Sequence, residues 1–312
     1  IMLGGNVVIL LLFLINAIFR GAGDAAIAMR VLLLSNGINI ILCPLLVFGV
    51  GPFPRLGVTG AAVGTTIGRG VGVLYQIYSL SRRDGRVLIR RDHLALKPAV
   101  MKALLRLSGT GTFQVFIGMA SWMWLTRINA SFGTDALAGF AIAIRIILFA
   151  LLPAWGLANA AATMVGQSLG AGKPERGEQA VWTAAKYNVI FLGTAGLLFA
   201  VFSSQIAHLF TKDPEAAAIA GDCLRIISYG YLFYAYAMVL TNSFNGAGDT
   251  WTPTWLNLFC FWLWEIPIAW VLARHFNLGP QGVAWSVTIA FSTLAVASAV
   301  LFRRGRWKLK TV

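Results

Sequence analysis

The sequence predicts an all-α polytopic membrane protein built as two parallel helical lobes related by a pseudo-twofold repeat. Three observations predict it. The chain of 312 residues is 58% hydrophobic and only 12% charged, where soluble domains average roughly 45–50% apolar, and its mean hydropathy is +0.75. Apolar runs of about 20 residues recur along the whole length, each able to cross a hydrocarbon layer about 30 Å thick. One motif also occurs twice: Phe19 to Asp24 reads Phe-Arg-Gly-Ala-Gly-Asp, and Phe244 to Asp249 reads Phe-Asn-Gly-Ala-Gly-Asp.

The likeness extends downstream of each copy. Pro44 falls late in the following apolar run, as Pro267 does in the second copy. Leu56-Gly57-Val58-Thr59-Gly60-Ala61-Ala62 answers to Leu278-Gly279-Pro280-Gln281-Gly282-Val283-Ala284. The offset drifts from 225 to 222 residues, which small loop insertions explain. About six spans separate the two motifs, and an even number returns the chain to the same side, so the copies run parallel about an axis along the membrane normal.

In chain order, Ile1–Phe19 is the first span and Asp24 is placed to cap the next helix, because a side-chain carboxylate can accept from free amides at a helix start. Arg30–Gly49 is the second span, ended by Gly51-Pro52-Phe53-Pro54, since proline cannot continue a helix. Gly60–Leu80 is the third, with Gly60, Gly64, Gly68 and Gly72 in register on one face, a seam that lets a neighbouring helix approach closely. Five more spans are expected near Thr110–Ala130, Ala136–Val165 (bent at Pro153), Thr183–Phe202, Cys223–Phe244 and Pro253–Ala273. Val283–Phe302 completes about nine spans. The expected division is 1–81 for the last three spans of the first lobe, 82–108 for a basic linker and 109–312 for the second lobe. The chain opens inside an apolar run, and its first half shows three of the spans that its second half shows, so about three more are expected upstream.

The net charge of +14 sits in the short segments between spans, which points to membrane orientation and away from nucleic acid. Arg20, Arg30, the basic residues of Arg82–Arg106 and Lys173–Lys186, and the tail hold 18 Lys or Arg; the opposite loops hold four. The positive-inside rule therefore places those loops and the C-terminus in the cytoplasm of a multi-pass cell-membrane protein. Cys43, Cys223 and Cys260 are far apart, without metal-ligand spacing. Gly166-Gln167-Ser168-Leu169-Gly170 matches a nucleophile elbow, but that motif needs a preceding strand; His93, His208 and His275 lie scattered in or near loops, so no enzyme is expected.

The two Phe-x-Gly-Ala-Gly-Asp turns, Gly166-Gln167 with Gly170-Ala171-Gly172, and Leu56-Gly57 with Gly60-Ala61-Ala62 together resemble the MATE (multidrug and toxic compound extrusion) family. The repeat-turn residues are Gly21, Gly23, Asp24, Gly246, Gly248 and Asp249. The resemblance implies about twelve helices in two lobes. It also implies a secondary transporter that exports amphipathic, often cationic compounds by alternating access in exchange for Na⁺ or H⁺, without other cofactors, as a monomer in the bilayer. The family's cation site maps onto Asn39, the Ala61 carbonyl and Thr65, with Cys43 where an Asp is often found. A neutral thiol is a poor ligand for hard Na⁺, which prefers oxygen, so cation binding there is in question.

Glu265 is the second coupling candidate. It lies mid-span in Phe261-Trp262-Leu263-Trp264-Glu265-Ile266-Pro267, where an ionised carboxylate costs several kcal/mol unless paired or protonated. It would carry a proton or balance a cationic substrate; alternatively it pairs with Arg127 or Arg145, or bonds backbone freed by Pro267. Tyr229, Tyr236 and Trp264 are the substrate-cleft candidates, since aromatic faces attract cations. Tyr229 and Tyr236 share one helical face, Tyr231 and Tyr234 another, so the four do not line one cavity. Two alternatives stand beside the exporter: a flippase for a lipid-linked precursor, which needs a basic groove, and a membrane scaffold that transports nothing.

Overall fold

Helices account for nearly all of the residues that the computed structural model describes, which are 2–81, 87 and 97–309, and no strand occurs among them. They fall into two units, Ile1–Lys97 and Pro98–Val312. Most of the expected linker 82–108 lies outside the described residues, and its end is helical, because a helix begins at Pro98.

The first unit contains α1 (Met2–Gly21), α2 (Ala25–Phe48) and α3 (Val58–Ser81). Asp24 caps α2 as its position predicts, its Oδ1 accepting from the Ile27 amide at 3.3 Å. The glycine seam is real: Gly60, Gly64, Gly68 and Gly72 are all buried. A methyl group on Gly60 would collide with the Leu46 carbonyl, and one on Gly68 would lie 2.7 Å from the Ser35 oxygen. α2 and α3 thus touch backbone to backbone, the approach that small residues permit where lipid offers no hydrophobic drive. One turn beyond the seam, Gln76 Nε2 donates to the Leu12 carbonyl at 3.1 Å and to Asn16 Oδ1 at 2.9 Å, tying α3 to α1.

The second unit contains α4 (Pro98–Ala130), α5 (Thr134–Gly170), α6 (Pro174–Phe210), α7 (Pro214–Tyr229), α8 (Tyr231–Gly246), α9 (Trp251–His275) and α10 (Gly279–Arg303). Pro153 is accommodated inside a continuous α5. The expected Cys223–Phe244 span is instead two helices meeting at 60°. The break at Gly230 sends its amide to Ile227 O, and Thr288 Oγ1 of α10 donates at 3.0 Å to the neighbouring Ile226 carbonyl. A membrane interior requires that kind of satisfaction of freed backbone. At the C-terminus Trp307 is buried and stacks on Phe302 at 4.8 Å, while Lys308 pairs with Glu178 of α6.

Among the described residues, six helices are long and apolar enough to cross a membrane, and the bent α7–α8 pair taken as one span makes a seventh. The other two of the nine expected spans, α3 and α4, have 24 and 33 residues. They have the length of a span, but Arg69 with the glycine ladder dilutes α3, and the small, polar and tryptophan residues between Gly109 and Thr126 leave α4 less apolar.

The repeat survives in the backbone of each unit. Gly23 and Gly248 adopt φ of 82° and 74°, left-handed values that glycine reaches without steric cost. Asp24 and Asp249 donate their amides to Phe19 O and Phe244 O at 2.8 and 2.9 Å. Gly57 and Gly279 both have φ of 54°. A methyl group on Gly282 would lie 2.6 Å from the Ala273 amide and 2.7 Å from the Leu272 carbon, so the Leu272–Ala273 peptide takes the place of Leu46–Val47. Counted from the aspartates, the second copy carries one more residue before this point. Its helix holds π-helical turns over Leu258–Glu265 and Val271–His275, and a wide turn is how a helix absorbs an extra residue. The sequence pairing of Pro44 with Pro267 is therefore not a structural equivalence, and the loop after Leu46 is four residues longer than the one after Leu272.

Candidate functional site

Pro267 supplies no amide hydrogen and its ring crowds the carbonyl of Leu263, so an α-helical ladder cannot run unbroken through this part of α9. The helix widens over Leu258–Glu265, immediately before it. Glu265 ends that wide turn, 2% exposed. Its Oε2 lies 2.8 Å from Ser121 Oγ of α4, and the same hydroxyl lies 3.1 Å from the Phe261 carbonyl. One turn away, Trp262 Nε1 donates to Ile117 O at 3.0 Å. Residues 117 and 121, one helical turn apart on α4, therefore face 261, 262 and 265 on α9.

The partner of Glu265 is thus a hydroxyl. Neither Arg127 nor Arg145 forms an ion pair with it, contrary to one expectation, and the backbone contact at this site is made by Ser121 to Phe261 O, not by Glu265 to the Leu263 carbonyl that Pro267 frees. Sequence reasoning missed Ser121: it is one small polar residue in an apolar helix, and only the register of α4 against α9 singles it out. Chemically, a buried carboxyl with one hydroxyl neighbour can hold or release a proton.

In the first unit, the structure brings Asn39, Thr65 and Ala61 together. Asn39 Nδ2 donates to Thr65 Oγ1 at 2.9 Å, and that hydroxyl donates to the Ala61 carbonyl at 2.8 Å. Cys43 lies one turn on, a free thiol whose backbone borders Gly64. The three groups satisfy one another and hold three oxygens without a carboxylate, which suits a link between α2 and α3. No group of three His, Cys, Asp or Glu side chains able to hold a metal occurs among the described residues. Placing the extra residue of the second copy within the wide turn over Leu258–Glu265 would align Glu265 with Asn39, and placing it within the turn over Val271–His275 would align Glu265 with Ile40.

The aromatic candidates disperse. Tyr231 and Tyr234 are core residues, Tyr234 stacked on Phe291 at 3.8 Å. Tyr229 is exposed beside Trp285, and Tyr236 is half-buried between two clusters. Because the chain turns by 60° between α7 and α8, Tyr229 and Tyr236 belong to different helices and share no face in the expected sense. Trp264 is 41% exposed and stacks on Phe259, whereas its chain neighbour Glu265 is buried. Two open clefts lie in the second unit, of about 460 and 470 Å³. The first runs between Lys102 and Arg106 of α4 and the Gly248–Trp251 turn; the second is bordered by Trp122, Met123 and Arg127. Glu265 lines neither.

Comparison with known proteins brings these features together. The MatE family profile matches residues 108–271, just over half of the chain. A probable multidrug resistance protein NorM of Thermotoga maritima is 28% identical over all of this chain and 67% of its own length. A probable multidrug resistance protein YoeA of Bacillus subtilis is 28% identical over 97% of this chain and 66% of its own, and an FAD transporter of Shewanella oneidensis is 24% identical over 96% and 66%. The chain spans about two thirds of the length of these relatives. Among solved structures, a MATE P26A mutant superposes with a TM-score of 0.89 at 25% identity, covering 98% of this chain and 68% of that one. A MOP superfamily transporter from Pyrococcus furiosus, described as having a binding pocket of reverse polarity, superposes with a TM-score of 0.90 at 25% identity over 99% and 68%.

Proposed function

Since the chain belongs to the MatE family, we propose that it is the greater part of a proton-coupled antiporter that exports amphipathic or cationic small molecules. The multidrug resistance relatives support the cargo class. The observation that carries the coupling is the buried Glu265 carboxyl held by Ser121 between α4 and α9. A proton is the ion this arrangement suits, because a hydrogen-bonded hydroxyl and carboxyl need no wider oxygen cage, whereas Na⁺ does.

The working cycle is alternating access. Protonation of Glu265 favours one state and cargo the other, and only a difference in affinity between the states shifts the balance. The basic segments at Arg20, Lys173–Lys186 and Arg303–Lys308 are assigned to the cytoplasmic face by the positive-inside rule, and the protein works as a monomer that carries solute without chemically changing it.

The test is resistance. A drug-sensitive bacterium expressing the whole gene should tolerate ethidium and norfloxacin better than one expressing Glu265→Gln at equal level; unchanged sensitivity with both genes counts against export. A second reading follows from the FAD transporter relative and the Lys102–Arg106 cleft, namely an anionic nucleotide cargo. Flavin accumulation in the medium without drug resistance would favour it.

A further inference from the structure

Resting on the reading that Glu265 carries the coupling proton, we propose that Ser121 is a positioning residue that transmits the proton state of Glu265 to the wide turn of α9. The Ser121 hydroxyl has one hydrogen and two acceptors within reach, Glu265 Oε2 at 2.8 Å and the Phe261 carbonyl at 3.1 Å. It can serve only one of them at a time.

With Glu265 ionised, the hydrogen goes to the carboxylate, because a hydrogen bond to a charged oxygen is about twice as strong as one to a neutral oxygen. The Phe261 carbonyl then loses its contact with α4. When a proton from water adds to Oε2, the new O–H donates to Ser121 Oγ, which accepts through a lone pair. The serine hydrogen is released to turn toward Phe261 O. No bond to the serine breaks; only its hydroxyl rotates.

The consequence falls on backbone that is already irregular. Phe261 lies inside the wide turn over Leu258–Glu265, and Pro267 can donate to neither Leu263 nor Trp262. The bond from Trp262 Nε1 to Ile117 O holds α4 against α9 one turn away in either state. The seam thus has one fixed bond and one that depends on the proton, and the second ties α4 to the backbone of the wide turn only when Glu265 is protonated.

Few other groups compete. Among the described residues, Cys260 on α9 and Tyr234 on α8 are ionisable side chains close enough to feel the charge of Glu265. α10 presents none before Arg303, and on α4 Arg106 and Arg127 make no ion pair with the acid.

Hydrogen–deuterium exchange of the 258–266 segment in nanodiscs, read on the acid and alkaline sides of the Glu265 titration and corrected for intrinsic rates, tests this. In the wild type, acid should slow exchange by about fivefold, the change that one hydrogen bond supports. Ser121→Thr, which keeps the hydroxyl, should retain the step. Ser121→Ala and Glu265→Gln should abolish it. A wild-type step in Ser121→Ala, or no step in the wild type, overturns the inference. Substrate-induced proton release is measured on the same preparations: if Glu265→Gln loses it while Ser121→Ala keeps the exchange step, only the role of Ser121 fails. If Glu265→Gln releases protons as the wild type does, the underlying coupling assignment fails.

Discussion

Ser121 Oγ lies 2.8 Å from Glu265 Oε2, so the acid buried in α9 is held by a neutral hydroxyl and keeps its own charge to gain or lose. An arginine in that place would have fixed the carboxylate as a permanent ion. A lone carboxyl inside a membrane protein is costly when charged, and a group that is costly in one protonation state is one that a conformational change can load and unload.

The first prediction separates fold from coupling at this site. Glu265→Gln preserves shape and a hydrogen-bond acceptor for Ser121, so thermal unfolding in detergent should change by no more than about 1 kcal/mol. Glu265→Ala removes the partner and leaves a void, costing roughly 2–3 kcal/mol. Both should lose proton-coupled export.

Helix seams give a second prediction. A methyl group on Gly246 would collide with the Ala162 carbonyl of α5, whereas Gly118 of α4 has open space around it. Gly246→Ala should destabilise the protein by about 1–3 kcal/mol through forced separation of α5 and α8. Gly118→Ala should gain up to about 1 kcal/mol from helix propensity. Melting temperatures of the two variants, measured side by side, check the contrast.

The link between α2 and α3 can be broken or converted. Thr65→Val leaves Asn39 Nδ2 without its acceptor and should cost about 1–3 kcal/mol. Cys43→Asp places a carboxylate beside the oxygens of Asn39, Thr65 and Ala61, the hard-ligand set that Na⁺ prefers. That variant should melt at a higher temperature in sodium chloride than in choline chloride, by about 1–3 kcal/mol of stabilisation at saturating salt. The wild type should show no such difference.

Asp24 offers a local test of the repeat turn. Its carboxylate caps α2 through Ile27 N, so Asp24→Ala should lower stability by about 1 kcal/mol and Asp24→Asn should be nearly neutral. Circular dichroism melts of the two variants decide it.

Much of this architecture is legible in the sequence, because lipid imposes simple rules. Most span positions, the Gly60–Gly72 ladder and the Asp24 cap depend on local spacing and reappear near the expected place, whereas the expected Cys223–Phe244 span is broken in two. What the sequence hides depends on contact between distant segments. Ser121 looks ordinary until α4 is laid against α9. The bend at Gly230 depends on Thr288, over 50 residues later, to satisfy the freed Ile226 carbonyl. The wide turns that absorb the second copy's extra residue leave no mark in composition, so Pro44 and Pro267 look equivalent in sequence and are not. The aromatic residues show the same limit: periodicity puts Tyr229 and Tyr236 together only if the helix between them is straight.

The central claim, that Glu265 loads the proton that drives export, is tested most directly in proteoliposomes holding a pH gradient. Adding ethidium should discharge the gradient when the wild-type protein is present, and the Glu265→Gln protein, inserted at equal density, should leave it intact. Equal discharge by both would contradict the account.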